Sequence, residues 1–184
     1  MRAFGMDRIM LHGSGLSTAV NKRRALSRRA PMFAFSTRLR LSKMKIIVTG
    51  CAGFIGYHLV KKYLDQNIKV IGIDNLNSYY SVKLKRDRLK DLQRHKKRKN
   101  FFFKKISLEN YNQLKKIFLK YKPSIVVNLA AQAGVRHSLL KPLDYVKSNL
   151  IGFSNILILS KEFKIKHLIY ASTSSVYGNS TKKK

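Results

Sequence analysis

The stretch that decides the fold is VTGCAGFIG at residues 48–56, which places Gly50, Gly53 and Gly56 at three-residue spacing. It follows a β-rich run and precedes apolar residues at helical spacing. In such a strand–turn–helix unit one glycine permits a tight turn, one lets a phosphate approach bare backbone, and one lets the helix pack closely. The stretch therefore predicts a dinucleotide-binding turn, with phosphates at the positive end of the helix dipole.

A second β-rich run ends at Asp74, about 20 residues beyond the glycine loop. At that distance a carboxylate can accept hydrogen bonds from both hydroxyls of an adenosine ribose, and its charge would repel a 2′-phosphate. Asn75 supplies no compensating cation. The pair predicts NAD rather than NADP as cofactor. The alternative is an aspartate that only begins a turn with Asn75.

The single cysteine, Cys51, lies between the first two glycines, where a small side chain suffices. A reactive thiol is the alternative, but no adjacent His or Lys would lower the pKa of Cys51. One cysteine forms no internal disulfide, and no paired Cys/His spacing indicates a metal site. The sequence predicts no metal and a reducing compartment, which favours the cytoplasm.

The rest of the chain after Met44 alternates short β-rich runs with helix-length segments. Alternation of this kind predicts an α/β fold with a doubly wound parallel sheet, because right-handed crossovers place helices on both faces. One helical set is Val146, Leu150, Phe153, Ile156 and Leu157. The five predicted strands are Lys45 to Val48, Lys69 to Ile73, Phe101 to Ile106, Ser124 to Asn128 and His167 to Ala171.

Residues 1–43 differ in composition from the remainder of the chain. They hold eight Arg, two Lys and one acidic residue, whereas residues 44–184 hold five Arg and twenty-four Lys. Such a leader matches a transit peptide or upstream sequence joined by a misplaced start before Met44, and the absence of a long amphipathic stretch favours the second. In either case we expect residues 1–43 to lie outside the fold and residues 44–184 to form the cofactor-binding domain.

The net charge of +31 raises the question of a polyanionic partner. Most of it is lysine spread over every predicted helix, with one dense run at residues 94–99 where a polar connection is expected. A solvated surface explains this distribution, so we expect no nucleic acid as the functional partner. No apolar run approaches the roughly 18 residues of a membrane span, so no membrane partner is predicted.

Four stretches together resemble the extended short-chain dehydrogenase/reductase family. They are VTGCAGFIG at 48–56, DNLN at 74–77, LAAQAGVR at 129–136 and ASTSSVYG at 171–178. The likeness runs from Met44 to the last residues. It implies a Rossmann fold, NAD as cofactor and a UDP-sugar as substrate. NLNSYY at 75–80 and AQAGVR at 131–136 resemble the epimerases that interconvert UDP-glucuronate and UDP-galacturonate by transient oxidation at C4.

The resemblance also implies which residues contact the cofactor. The implied positions are Gly50, Gly53, Phe54, Ile55, Gly56, Asp74, Asn75, Asn77, Ser78, Leu108, Leu129, Ala130, Ala131, Gln132, Asn149, Ala171 and Ser172. At two places a simpler interpretation stays open. Leu129 and the alanines after it would also pack in any buried strand end, and Asn149 could also be an ordinary polar residue on a helix face.

One departure from the family concerns the adenine. Where the family usually has an aspartate at the end of the third strand, this chain has Ser107 followed by Leu108. The hydroxyl of Ser107 can accept one hydrogen bond, and the backbone of Leu108 can supply another contact. We therefore expect weaker adenine recognition, but not its loss.

Catalytic residues are implied at the end of the matched region. Thr173 matches the family's hydroxyl that hydrogen-bonds the sugar oxygen during oxidation, and Ser174 and Ser175 match substrate-contacting positions. Arg136 is either a partner for a substrate phosphate or carboxylate or an ordinary surface arginine.

The family's general base is a tyrosine in a Tyr-x-x-x-Lys motif, and none follows Thr173. Tyr177 precedes Gly-Asn-Ser-Thr and matches a structural tyrosine instead. We expect this chain to be the N-terminal part of a longer enzyme, without the last strands and the substrate domain and inactive alone. A homodimer is an option for the full-length protein.

Two other functions remain as alternatives. A nucleotide-sugar 4,6-dehydratase of the same fold needs an Asp-Glu pair directly after the threonine as acid and base, and Ser174 and Ser175 cannot do that proton transfer at pH 7. A basic nucleic-acid-binding module with a degenerate Rossmann core would show salt-dependent affinity for DNA above that for NAD.

Overall fold

The computed structural model describes residues 44–173, 176 and 178. The leader at residues 1–43 therefore lies outside the described part. In chain order the elements are β1 (Lys45–Thr49), α1 (Phe54–Asp65), β2 (Lys69–Asp74), α2 (Val82–Arg94), β3 (Phe101–Lys105), α3 (Tyr111–Tyr121), β4 (Ile125–Asn128), α4 (Val135–Leu140), α5 (Pro142–Tyr145), α6 (Gly152–Glu162) and β5 (His167–Tyr170). A short 3₁₀ turn, Arg98–Asn100, precedes β3, and a π-helical segment, Val146–Ile151, joins α5 to α6.

The five strands form one parallel sheet in the order β3-β2-β1-β4-β5. The predicted doubly wound sheet is confirmed, and each predicted strand is present with its ends shifted by at most one residue. The chain builds outward from β1 to β3 and then crosses to β4 on the other side of β1. This reversal is a topological switch point, and open α/β sheets bind ligands at the carboxyl ends of the strands beside it.

Two apolar layers cover the sheet, one on each face. Ile46 and Val48 of β1 point to one layer, where they join residues of α1 and α2. Ile47 points to the other layer, where it joins residues of α3 and α6. The alternation follows from the two-residue repeat of a strand, and it explains why the central strands are apolar at nearly every position.

Local side chains fix where several helices begin and end. Ser81 accepts a hydrogen bond from the Leu84 backbone at the start of α2, and Asn110 accepts one from the Gln113 backbone at the start of α3. Both are N-caps of the usual kind. Lys122 ends α3 with a left-handed backbone (φ 46°) immediately before Pro123, which cannot continue a helix.

The set predicted from Val146 to Leu157 is confirmed as helical, since it runs from the π-helical segment into α6. It lies on one helical stretch, but only Ile156 is fully buried, and Phe153 is half-buried with its ring 5.1 Å from that of Tyr170. Val146, Leu150 and Leu157 are exposed. The periodicity identified the helix, whereas packing within the described chain covers only part of its apolar face.

Candidate functional site

A cavity of about 450 Å³ lies at the carboxyl edge of the sheet, where the ends of the parallel strands meet the starts of the helices. It is centred on the switch point between β1 and β4. From the positions implied by resemblance, its lining includes Gly50, Gly53, Phe54, Ile55, Gly56, Asp74, Asn75, Asn77, Leu108, Leu129, Ala130, Ala131, Gln132 and Ala171. We call this cavity the switch-point cleft.

The glycine loop forms one wall of the cleft with little room to spare. Gly50 has a φ of +67°, and a Cβ there would lie 2.9 Å from the Ala130 nitrogen. A Cβ on Gly56 would lie only 2.1 Å from the Gly50 carbonyl oxygen. Gly50 thus makes the turn beside β4, and Gly56 allows α1 to start directly against that turn. Gly53 lies between them and leaves backbone facing the cleft at the start of α1.

The Thr49 hydroxyl ties the glycine loop to the end of β4. It donates to Oδ1 of Asn128 at 2.7 Å and accepts from the backbone nitrogens of Leu129 and Ala130 at 3.1 and 3.0 Å. Thr49 and Asn128 are both buried. These bonds fix the two strands that flank the switch point, a role that the sequence analysis did not assign to Thr49.

Asp74 is the last residue of β2 and lines the cleft while being only 7% exposed. Its Oδ2 accepts from the Ala52 backbone at 3.0 Å, and its Oδ1 accepts from the Leu76 backbone at 2.8 Å. Each carboxylate oxygen keeps a second lone-pair direction for another donor. The side chain is thereby held in one orientation between the glycine loop and the cleft.

Residues directly after β3 form the side of the cleft where the resemblance implies that adenine binds. Ser107 and Leu108 both line the cleft, and Leu108 is buried. The Ser107 hydroxyl accepts a 3.3 Å hydrogen bond from the Asn75 amide. Ser107 is therefore engaged with a second cleft residue, while Leu108 offers an apolar surface that suits the face of a ring.

Asn149 fixes the loop that follows β4 and does not line the cleft itself. Its Oδ1 accepts from the Gln132 backbone nitrogen at 2.8 Å, and its Nδ2 donates to the Gln132 carbonyl at 2.9 Å. The Gln132 side chain accepts from the Asn77 amide at 3.3 Å. The amide of Asn149 thus acts on the cleft through Gln132.

Two cations of α2 also line the cleft, and the sequence analysis missed both. Lys85 is 7% exposed, and its Nζ donates to the Asn77 side chain at 2.8 Å and to the Asn77 carbonyl at 3.0 Å. Arg88 donates to the Ala52 carbonyl at 3.2 Å and lies over the Phe54 ring at 5.8 Å. One sequence signal was present, since Lys85 shares the face of α2 that buries Leu89 and Leu92. A lysine in a buried stripe is rare without a partner.

A second cavity of about 430 Å³ adjoins the cleft and shares Asn75, Asn77, Tyr79 and Gln132 with it. Ser78 lines this second cavity rather than the cleft. Tyr145 follows Asp144 of this lining, and its hydroxyl proton is shared between the carbonyl oxygens of Ala133 and Gly134. Removal of the Tyr145 hydroxyl from water raises its pKa, and the neighbouring Tyr79 adds to this shift.

The remaining implied residues do not line either cavity. Ser172 and Thr173 are exposed beyond β5, and Arg136 is exposed on α4. The substrate positions Ser174 and Ser175 lie outside the described residues, as does Tyr177. The structure therefore brings most of the cofactor positions implied by resemblance together in the cleft, but its lining does not include Ser172, Arg136 or Thr173.

Cys51 belongs to the glycine loop, and its side chain is fully buried. Burial raises the pKa of its thiol well above the ordinary value, and the negative charge of Asp74 adds to this shift. A thiol that resists ionisation is a poor nucleophile. The geometry thus agrees with a packing role for Cys51.

The described residues contain neither a metal-binding cluster nor a membrane-spanning helix. No group of three or more His, Cys, Asp or Glu side chains could hold a metal ion there. Nor does that part of the chain contain a helix long and apolar enough to cross a membrane.

Comparison with known proteins now identifies the family. A family model described as GDP-mannose 4,6 dehydratase matches residues 47–184. The chain belongs to that family. The resemblance to NAD-dependent epimerases and dehydratases of the short-chain dehydrogenase/reductase type is thereby confirmed.

Curated relatives share about half of their aligned residues with this chain. Protein CapI of Staphylococcus aureus is 56% identical over 140 residues, which cover 76% of this chain and 41% of CapI. A UDP-glucuronate 4-epimerase of Thermodesulfobacterium geofontis is 49% identical over 131 residues, covering 71% and 40% of the two chains.

A solved structure shows the same fold. The UDP-glucose 4-epimerase of Thermus thermophilus in complex with NAD matches with a TM-score of 0.60 and 30% identity, over 71% of this chain and 38% of that chain. This chain thus spans about two fifths of the length of the proteins that it matches.

Proposed function

We propose that this chain supplies the NAD-binding part of a nucleotide-sugar 4-epimerase that acts on UDP-glucuronate. The observation that carries the proposal is the switch-point cleft, where a glycine turn and a fixed carboxylate face the same space. The relative from Thermodesulfobacterium geofontis supports the substrate, and the Thermus thermophilus enzyme supports the cofactor.

The residues of the cleft fit NAD in shape and charge. Bare backbone at Gly53, at the start of α1, leaves room for a pyrophosphate near free N–H groups. The cations of Lys85 and Arg88 add positive potential on the α2 side. Asp74 would hold the ribose hydroxyls of the adenosine, because its lone pairs accept such donors and its charge opposes a 2′-phosphate.

In the proposed reaction, bound NAD supplies the redox chemistry by accepting a hydride from C4 of the sugar and returning it to the opposite face. The chain's own contribution is to bind and orient the cofactor and to hydrogen-bond the C4 oxygen. Thr173, just beyond β5, is the residue that we assign to the second task. A general base of suitable pKa must also reach that hydroxyl, and no Tyr-x-x-x-Lys motif follows Thr173 in the sequence.

A 4,6-dehydratase is the second candidate, because the matching family model carries that description. Dehydration across C5 and C6 requires an acid and a base beside the threonine. Ser174 and Ser175 stand at those positions in the sequence and do not ionise near pH 7. This chemistry, together with the UDP-glucuronate 4-epimerase among the relatives, favours epimerisation.

Replacing Asp74 tests the cofactor assignment. We expect Asp74→Ala to weaken NAD binding by about 10- to 100-fold, because a hydrogen bond to a charged group contributes about 1.5–3 kcal/mol. The variant should also reduce the ratio of the affinity for NAD to the affinity for NADP. Titration of each variant with NAD and with NADP, followed by calorimetry, measures both effects.

Two further variants make the Asp74 result interpretable. Asp74→Asn removes the charge but keeps one acceptor oxygen for the backbone N–H of Ala52 or Leu76. It therefore shows whether a loss of NAD affinity comes from the missing carboxylate or from distortion of the glycine loop. Asp87→Ala removes an exposed carboxylate of α2 and should leave both affinities unchanged. An unchanged NAD to NADP ratio in both Asp74 variants would remove Asp74 from the ribose site.

We expect the 184-residue chain to bind NAD without converting UDP-glucuronate. Loss of one general base lowers rates about 10²- to 10⁴-fold, and absent substrate contacts reduce them further. Incubation of the purified chain with UDP-glucuronate and NAD, followed by chromatography for UDP-galacturonate, provides the measurement. Turnover near that of a complete relative would show that another residue, such as Tyr79 or Tyr80, acts as the base.

A further inference from the structure

The edge of the sheet opposite the cleft, which we call the amino edge, carries a row of five lysines, three of which lie at one level. Strand register places Lys45 beside Lys69, and the residues one step before the other three strands fall at the same level. Lys166 occupies that level before β5, while Lys99 and Lys122 stand one and two residues farther out before β3 and β4. Strands are about 4.8 Å apart, so the row extends roughly 20 Å.

Carboxylates near the amino edge do not neutralise this row. Asp65 and Asp91 lie in the last turns of α1 and α2, and Glu162 ends α6. They pair with His95 at 3.1 Å, Lys61 at 3.1 Å and Lys115 at 2.7 Å, respectively. Across the described residues, none of the five row lysines lies in an ion pair.

Helix electrostatics explain only part of the positive charge at this edge. Lys62, Arg94 and Lys120 lie in the last turns of helices, where a cation stabilises the helix dipole. The lysines at the starts of β1, β2 and β5 have no such role. The basic leader, with eight Arg and two Lys against one acidic residue, also joins the chain here, immediately before β1.

The chemistry of the amino edge favours a flat anionic surface over a base-stacking ligand. The exposed phenylalanine and tyrosine side chains of the described part are Phe54, Tyr79, Tyr80 and Tyr170, and all four lie at the carboxyl edge. Single-stranded nucleic acids are held by grooves in which aromatic rings stack on the bases, and among the described residues the amino edge exposes only the His167 ring. Five lysines within two residues of one register level instead suit a flat anionic surface such as the phosphate plane of a lipid bilayer.

We propose that the amino edge binds the surface of an anionic phospholipid membrane. Binding is electrostatic and peripheral, which is compatible with the absence of a spanning helix from the described residues. The switch-point cleft then faces away from the membrane, because it lies at the other end of the same strands. Membrane contact therefore leaves the NAD affinity unchanged.

The test measures co-sedimentation of the 184-residue chain with vesicles of phosphatidylcholine, with and without phosphatidylglycerol. The edge variant carries Lys69→Glu, Lys99→Glu and Lys166→Glu. The control variant carries Lys83→Glu, Arg86→Glu and Lys116→Glu, which are exposed helical positions away from the amino edge and give the same net charge. NAD titration of all three proteins shows that each is folded.

We expect binding to anionic vesicles alone, and a loss on the order of 100-fold in the edge variant, since each lysine near the surface contributes roughly fivefold. The control variant should lose far less at about 0.15 M ionic strength, where screening acts within about 8 Å. Equal losses in both variants would assign the binding to net charge or to the leader and overturn the proposal. So would absence of vesicle binding, or tighter binding to duplex DNA than to vesicles at equal phosphate concentration.

Discussion

Strands β1 and β5 belong to the same sheet but have very different surroundings. In β1 the last four residues are fully buried, with a strand on each side and apolar layers above and below. In β5 only Leu168 is even half-buried, while Ile169 is 52% exposed and, within the described part of the chain, the strand pairs with β4 alone. Exposed Leu157 and Ile158 of α6 extend this apolar surface.

The difference shows that the switch-point cleft is packed by described residues, whereas the β5 side leaves apolar surface uncovered among them. The glycine loop is held in place because the Thr49 hydroxyl bonds to the Asn128 side chain and to the Leu129 backbone. The β5 side instead presents an open strand edge and large apolar side chains, a combination that promotes association with other chains. Three substitutions test this contrast.

The largest effect is expected from Gly56→Val in the packed region. A Cβ at Gly56 would lie 2.1 Å from the Gly50 carbonyl oxygen, so α1 and the turn cannot both keep their positions. We expect a loss of about 4 kcal/mol or more, a melting temperature lower by roughly 10 °C, and loss of NAD binding. Lys62→Ala, on the exposed side of the same helix, should change neither. Near-normal melting and NAD affinity in Gly56→Val would mean that the turn is not closely packed.

A medium effect is expected from Ile169→Lys on the β5 side. A lysine on an edge strand opposes pairing with another chain, so the variant should reduce concentration-dependent self-association in sedimentation velocity experiments. Leu119→Lys is the matched control, since Leu119 is 53% exposed on α3, away from β5. Equal self-association in the two variants and the parent chain would show that β5 is not the contact.

The smallest effect concerns the polar contact that holds the end of α6. Lys115 pairs with Glu162 at 2.7 Å, and Tyr111 donates to the same carboxylate at 3.0 Å. The hydrogen bond from Lys115, followed by that from Tyr111, lowers the pKa of Glu162 below its ordinary value of 4.5. A lowered folded-state pKa stabilises the fold above the unfolded pKa, and this contribution disappears as pH falls through the folded value.

Glu162→Gln should therefore lower the melting temperature slightly at pH 7 and leave it unchanged at the acidic end of a series below pH 4.5. The pair is exposed to solvent, so the difference at pH 7 should be small. A difference of the same size at every pH would assign the effect to packing and not to ionisation.

The fold could be predicted because its signals are local. Apolar runs with a two-residue repeat and sets at helical spacing identified the strands and helices, and the glycine spacing identified the turn between β1 and α1. The sequence order of these elements then allows few topologies, so the parallel doubly wound sheet was also predictable.

Parts of the site could not be predicted because they depend on residues distant in sequence. The Thr49 hydroxyl meets Asn128 across 79 positions, and Lys85 meets Asn77 only because α2 folds back over the cleft. Periodicity identified the helical set that includes Val146 and Leu150, but it cannot tell a packed apolar face from an open one, and both side chains are exposed. The prediction that residues 1–43 lie outside the fold remains a prediction.

The position of β1 at the centre of the sheet has a consequence for synthesis of the chain. The glycine turn that follows β1 leaves the ribosome early. Asn128 of β4, which accepts the hydrogen bond from Thr49 beside this turn, follows 79 residues later. At about 5–20 residues per second, that delay is roughly 4–16 seconds. During this interval the apolar face of α1 can already pack against β1, β2 and α2, whereas the glycine loop and β1 still lack their partners in and after β4. Nascent chains halted before Asn128 should therefore expose the free edge of β1 to chaperones, whereas those halted after β4 has emerged should not.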